Sequence, residues 1–410
     1  MKRILVLSIG LAGALASAEP ALTNDALTLD QAIALAERLH PELAEGEALL
    51  RAAQGRADQA GRLPNPRIIA RTESVPTSGG ATREAEYLAG FSQSFQFGGR
   101  LSKARSAERL AGETRLQELE MRRRDIRKRV HAAFATALYQ EKAFLTLSNI
   151  SRTFEQSATV IKARVDAGDA LPEDLARIEL ELIRSKIERD RGSSMRQTAL
   201  TQLAAAIGDP KTLITRLDGN LDVTFEIPTL ESTAADLAEH PAALRAEADN
   251  KARAARLELA KAQRIPEVTF EALYRRLEGE RRNTFDVGVS IPLPLFDRNV
   301  GNVREARAES AAAEARYRAT QNELRSRAEE SHLRLTAALG RRRALRDDVL
   351  PRARTVLETA ELRYSAGDIR VSELLGVRRA WASLELDYLE SLRDVAQAWA
   401  DVQSLMAPSQ

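Results

Sequence analysis

The chain has 410 residues, of which 29% are charged and only 4% aromatic, with 61 Lys and Arg against 59 Asp and Glu. It contains no cysteine, which excludes disulfides, thiolate metal sites and a cysteine nucleophile. Abundant Ala, Leu, Arg and Glu with few rings is the composition of long helices and coiled coils rather than of a thick aromatic core.

The N-terminus reads as an export signal over residues 1–18. Lys2 and Arg3 supply the positive start, Ile4 to Leu15 the apolar stretch, and Ala16-Ser17-Ala18 the small-residue cleavage site. An apolar run of about 12 residues is too short for a helical span, which needs roughly 20. Removing Lys2 and Arg3 leaves 59 basic and 59 acidic residues, so the mature chain is formally neutral. Neutrality and export both argue against a nucleic-acid partner. The runs Arg122-Arg123-Arg124 and Arg341-Arg342-Arg343 are therefore read as solvated helix faces. No later stretch is apolar enough for a membrane helix.

The remainder repeats itself at an offset of about 200 residues. His40-Pro41 pairs with His240-Pro241, and LPNPRIIA from Leu63 with IPEVTFEA from Ile265. KARSAE from Lys103 pairs with REARAE from Arg304, His131 with His332, and Ala167-Gly168-Asp169 with Ala366-Gly367-Asp368. Two structural repeats follow, 19–210 and 233–410, with an inter-repeat linker over 211–232. Each reads helix, strand, strand, long helix, turn, helix.

In the first copy, a helix starts near Thr28-Leu29-Asp30, where Thr28 or Asp30 can cap the free N–H groups of the first turn. It ends before Leu63-Pro64-Asn65-Pro66. Strands are expected over about 67–75 and 85–97. In the second, Tyr87, Ala89, Phe91, Phe95 and Phe97 point one way, while Glu86, Gly90, Ser92, Ser94 and Gln96 point the other. Long helices fill 101–207; Leu101 to Val165 holds no proline and one glycine, enough for a rod of ~100 Å.

The second copy is expected to have strands over about 266–275 and 285–295. Val268, Phe270, Ala272 and Tyr274 share one face of the first. Phe285, Val287, Val289, Ile291, Leu293 and Leu295 share one face of the second. Long helices occupy 303–405. Near the end Leu374, Val377, Trp381, Leu384, Tyr388, Ser391, Val395, Ala398, Val402 and Leu405 alternate steps of three and four, which makes a coiled-coil seam.

A strand with one apolar face ordinarily packs on a soluble core. Here export, the absence of a helical span and strand lengths of about 9–13 residues point instead to a β-barrel in an outer membrane. Four strands cannot close, and an open edge in lipid costs several kcal/mol per unsatisfied backbone group. The strands must then be pooled among copies of the chain. Three copies give a 12-stranded barrel; two give eight strands, whose lumen side chains would fill.

At this point the residues resemble a known family, the TolC-type outer-membrane efflux proteins, over essentially the whole mature chain. FSQSFQFGGRLSKAR (91–105) and SIPLPLFDRNVGNVREARAE (290–309) are similar to its two strand-to-helix junctions. RVDAGDALPEDL (164–175) and RYSAGDIRVSELL (363–375) are similar to its helix-turn-helix tips. FGGR together with PLFDRNVGN leans toward the heavy-metal, CzcC-like branch of RND efflux systems.

The resemblance implies a mainly α fold with β. The duplicated unit would form a homotrimeric 12-stranded transmembrane β-barrel, continuous with a coiled-coil α-helical barrel in the periplasm. It implies a passive duct for heavy-metal cations or drugs, served by a periplasmic adaptor (membrane fusion) protein and an inner-membrane RND pump. Lipid-facing candidates are Tyr87, Phe91, Phe95, Phe97, Phe270, Tyr274, Phe285, Val287, Val289 and Ile291. The resemblance also places an acidic aperture at the tips. Glu373 meets its first position and Asp174 is the first-repeat equivalent, with Asp368 and Arg370 close by. Gly376 stands where the family has a second acid. Glu373 equally suits the first turn of the descending helix, where the helix dipole favours an acid.

No cofactor, catalytic residue or metal ligand set is expected. The four histidines, His40, His131, His240 and His332, show no i,i+4 pair, and there is no Walker loop or nucleophile elbow. The chain is therefore read as a non-enzyme. The alternative is a periplasmic coiled-coil adaptor or scaffold without a barrel, which would not need aromatic-faced strands of membrane length.

Overall fold

The computed structural model describes residues 26–75, 84–222 and 227–406. The expected signal, 1–18, lies outside them. Helix α1 (Leu29–Leu39) is capped by Thr28, whose hydroxyl accepts from the Gln31 N–H at 3.3 Å. The Gln31 side chain in return accepts from the Thr28 N–H at 3.0 Å, closing a capping box.

The single first helix expected from sequence is two helices. The chain turns at His40, and α2 runs Pro41–Ala60. A residue before proline is pushed out of the helical region, while proline itself suits the first helical position. The second copy repeats the break: α5 (Leu230–Asp236) and a 3₁₀ turn (Leu237–Glu239) precede α6 (Pro241–Ala262). In both copies the histidine caps the following helix. Nδ1 of His40 accepts from the Glu42 N–H at 3.2 Å, and Nδ1 of His240 from the Ala242 N–H at 3.1 Å.

One antiparallel sheet, in the order β1-β2-β3-β4, joins the two copies through the β2–β3 pair. Its strands are β1 (Arg67–Glu73), β2 (Glu86–Phe95), β3 (Val268–Leu277) and β4 (Arg282–Ser290). Their limits differ from the expected ones. β1 stops at Glu73, before Ser74 at a φ of 54°. β2 is shorter than 85–97, and β3 lies two residues later than 266–275. β4 was expected over 285–295 but begins at Arg282 and ends at Ser290. Pro292 and Pro294 have no N–H for a ladder, so Ile291, Leu293 and Leu295 continue the alternation outside it. Where β2 crosses β3 the backbones approach closely: a Cβ added at Gly90 would lie 2.0 Å from the Ala272 carbonyl oxygen.

Below the sheet, α3 (Arg100–Asp166) runs 67 residues without a break, about 100 Å at the usual rise. After a turn, α4 (Pro172–Ile207) comes back along it. The second copy follows the same path with α7 (Val300–Arg343), α8 (Leu350–Ser365) and α9 (Val371–Gln403). A π-helical stretch, Ala344–Val349, separates α7 from α8 just ahead of Pro351. The proline cannot donate in the helix interior, and widening the preceding turn accommodates its ring.

The main core lies midway down the helices. Ala32 and Ala36 of α1 meet Ile126, Val130 and Phe134 of α3, Leu203 and Ile207 of α4, and Leu392 of α9. A second core nearer the turns holds Phe154, Ile161, Ile178, Val371 and Leu375. Along the α9 seam, Leu374, Ser391, Val395, Ala398, Val402 and Leu405 are buried. Ser391, the one polar member, satisfies itself by donating to the Tyr388 carbonyl at 2.7 Å. Leu27 bridges to Leu217, and Asp222 accepts from the Tyr388 hydroxyl at 3.1 Å. The connection between copies therefore lies against the helices at this level.

Candidate functional site

The register sorts the sheet into two faces. Ile68 stands opposite Phe91 and Phe91 opposite Ala272; Phe270 faces Val289 and Tyr274 faces Phe285. These residues share one face, and the apolar side chains on it are exposed. Phe91 is 57% exposed, and Phe285 and Val287 are each 81% exposed. Tyr87, Phe95, Phe270, Tyr274 and Val289 are exposed with them, as are Phe97 and Ile291 just past the strand ends. Two edge-to-face ring pairs, Phe95–Phe270 and Tyr274–Phe285, hold the face together at centroid distances of 5.7 and 5.6 Å.

The opposite face is charged. Arg275 of β3 reaches carboxylates on the three other strands: Glu73 of β1 at 3.5 Å, Glu86 of β2 in a short contact, and Asp286 of β4 at 2.7 Å. Beside it Arg71 pairs with Glu271 at 3.6 Å. Ser94 and Thr269 exchange a hydroxyl hydrogen bond of 2.8 Å. Leu88 and Leu273 are buried on this same face. Sequence alternation located the charged positions but not the four-strand cluster, because register between distant strands leaves no local trace.

At the far end of the helices two turns of one design lie side by side. In the first, the N–H groups of Ala167, Gly168 and Asp169 donate to the carbonyls of Ala163, Val165 and Arg164. In the second, Ala366, Gly367 and Asp368 donate to Leu362, Tyr364 and Arg363. Gly168 (φ 80°) and Gly367 (φ 83°) supply the left-handed residue that such a helix end requires.

A cleft of about 360 Å³ separates the two turns. Asp174 and Arg370 both line it, together with Arg164, Asp169, Glu173 and Arg177. Asp368 and Glu373 are exposed and lie outside this lining. Glu373 stands in the first turn of α9. The structure thus brings two of the four tip candidates together and leaves two on the outer surface. Arg164 and Arg177 were not singled out from sequence; the i,i+4 spacing of Glu173 and Arg177, which bond at 3.1 Å, was the available signal. At Gly376 an added Cβ would meet nothing within 4 Å.

The histidines are placed individually. His240 accepts at Nδ1 from its own helix and donates from Nε2 to the Ser404 carbonyl at 3.2 Å, so the neutral tautomer is defined. Burial, with Arg124 nearby, pushes its pKa down to about 4. Burial also lowers His40 and His131. His332 shares a 3.0 Å bond with the Thr233 hydroxyl. Among the described residues, no group of three His, Asp or Glu side chains gathers as a metal site, and no helix is long and apolar enough to cross a membrane.

A sheet apolar on its exposed face and charged on the other, mounted on long helices that end in paired turns, has the architecture of outer-membrane channel subunits. The fold matches CusC at a TM-score of 0.80 and 15% identity, over 92% of each chain. It matches VceC of Vibrio cholerae at 0.76 and 19% identity, over 92% of this chain and 95% of that one. Residues 235–407 match the family model described as outer membrane efflux protein. Over 382 residues the chain is 26% identical to the cobalt-zinc-cadmium resistance protein CzcC of Cupriavidus metallidurans, covering 93% of this chain and 90% of that protein. The chain belongs to the outer membrane efflux protein family. It is accordingly an outer-membrane protein with its helical part in the periplasm, and an efflux component rather than an enzyme.

Proposed function

We propose that three copies close their sheets into a 12-stranded barrel, continuous with a coiled-coil α-helical barrel, and act as a passive duct from periplasm to exterior. The observation that carries this reading is the four-stranded sheet with an exposed apolar face and two unpaired edge strands, β1 and β4. In lipid those edges must be paired, and antiparallel pairing of β4 with β1 of the next copy does so without an odd strand. Each chain then contributes two pseudo-equivalent repeats, 19–210 and 233–410, joined over 211–232.

The apolar residues on the exposed face, Tyr87 to Ile291, face lipid, and the Arg275 cluster faces the lumen. The relative's resistance to cobalt, zinc and cadmium supports heavy-metal cations as the substrate class. A periplasmic adaptor and an inner-membrane RND pump are the partners. Gating is assigned to the paired turns. Asp174 and Arg370 face one another across the intra-chain cleft, while exposed Glu373 and Asp368 are free to approach their counterparts in neighbouring copies.

The test is the protein-only mass of the mature chain in detergent, measured by light scattering. Three chains per particle is the expected result. A chain that stays monomeric and soluble without detergent would overturn the barrel.

A further inference from the structure

The apolar alternation of β4 does not stop where its ladder stops. Beyond Ser290, Ile291, Leu293 and Leu295 keep the odd-numbered apolar positions, and they end at Phe296. Leu293 is 73% exposed and Phe296 100% exposed. Asp297 and Arg298 follow at once, and Asn299 turns the chain into α7 through a left-handed conformation at φ 56°. The first copy has a shorter version: exposed Phe97 lies two residues past β2, just before left-handed Gly98 and Gly99.

An extended segment without a ladder partner cannot sit deep in hydrocarbon, because its N–H groups would find no acceptor. This one carries few donors. Pro292 and Pro294 have none, and the Leu295 N–H turns back to the Leu293 carbonyl at 2.9 Å. Only Ile291, Leu293 and Phe296 are left to bond with water. Large apolar side chains on a donor-poor backbone suit the boundary between headgroups and acyl chains, where rings can enter the apolar zone while carbonyls remain wet.

We infer that residues 291–296 form an interfacial collar seated in the periplasmic leaflet of the outer membrane, with Phe296 packed among phospholipid acyl chains near the glycerol level. This rests on the lipid-facing reading of the sheet proposed above. Continuity with the exposed apolar face of β4 favours lipid over a second copy of the chain as the occupant. Asp297 and Arg298 mark where the chain leaves the membrane.

The chain has no cysteine, so single spin labels can be placed in the full-length protein reconstituted in phospholipid vesicles. The positions are Phe296→Cys, Leu293→Cys, Asp297→Cys and, within the strand, Val287→Cys. Accessibility to oxygen and to a water-soluble nickel chelate gives the depth of each. The collar predicts that the labels at 293 and 296 favour oxygen severalfold more than the label at 297, and lie shallower than the label at 287. Chelate access at 296 equal to that at 297 would place the segment in water and overturn the collar. Low access to both reagents would mean that a neighbouring copy covers it, which also overturns the collar. If the label at 287 also fails to favour oxygen, the lipid-facing sheet itself is wrong, so the two failures are distinguishable. Leu293→Cys carries the test should Phe296→Cys not assemble.

Discussion

His240 joins three tasks in one side chain: it caps α6, bonds the end of α9 and stays uncharged while doing so. Protonation at Nδ1 would break the cap and set a positive charge beside Arg124. Its pKa of about 4 lies below the ordinary 6.5, so below that ordinary value the unfolded chain binds the proton more tightly. The stabilisation is whole above the ordinary pKa and is lost as pH falls toward 4, amounting to at most about 3 kcal/mol per chain. The melting temperature should therefore drop between about pH 7 and about pH 4.5. His240→Asn, which can still cap but cannot titrate, should show a smaller drop; equal drops would assign the acid sensitivity elsewhere. Phe91 and Ser92 offer a second comparison, since adjacent strand residues face opposite sides. Phe91→Arg should block outer-membrane assembly, at about 2–4 kcal/mol per chain if the residue lies near the midplane, whereas Ser92→Asn should assemble. Assembly of both, scored by heat-resistant oligomer in membranes, would refute the face assignment.

Among the secondary-structure elements, the strands show best how far local pattern reaches. Alternation alone separated Phe91 from Ser92 and Phe270 from Glu271. It could not show that Glu73, Glu86 and Asp286 converge on Arg275, because convergence depends on register across three strand pairs. Arg275→Gln leaves those carboxylates without their shared cation. It should lower the unfolding free energy in urea by about 1–3 kcal/mol per chain, while the neighbouring Arg71→Gln should cost less. The helices show the converse. Thr28 was legible as a cap because capping is a local exchange of hydrogen bonds. The breaks at His40-Pro41 and before Pro351 were equally local, and the prolines announced them. Both were passed over because the flanking apolar pattern continues through them.

For the whole molecule, long helices lead from a sheet at one end to paired turns at the other, and the turns are where one ring of side chains can control ion passage. In the assembled duct, Glu373→Gln should reduce the preference for cations over anions, read as a shift of reversal potential across a planar bilayer under a salt gradient. An unchanged potential would leave Glu373 as a first-turn acid that favours the helix dipole and nothing more. Gly376, with open space around it, explains why any acidic ring here depends on few residues.

Export, duplication, strand faces and the heptad-like seam of α9 were all readable from the chain alone. Each depends on residues close in sequence, or on a repeat that copies itself at constant offset. Tertiary structure was needed for the rest. It paired β2 with β3, ended β4 at Ser290, and gathered carboxylates from three strands around Arg275. It also sorted the tip residues, bringing Asp174 and Arg370 to one cleft and leaving Glu373 and Asp368 outside. The physical reason is the same in each case: these contacts join residues far apart in sequence, whose geometry depends on strand register and helix packing that no local periodicity encodes.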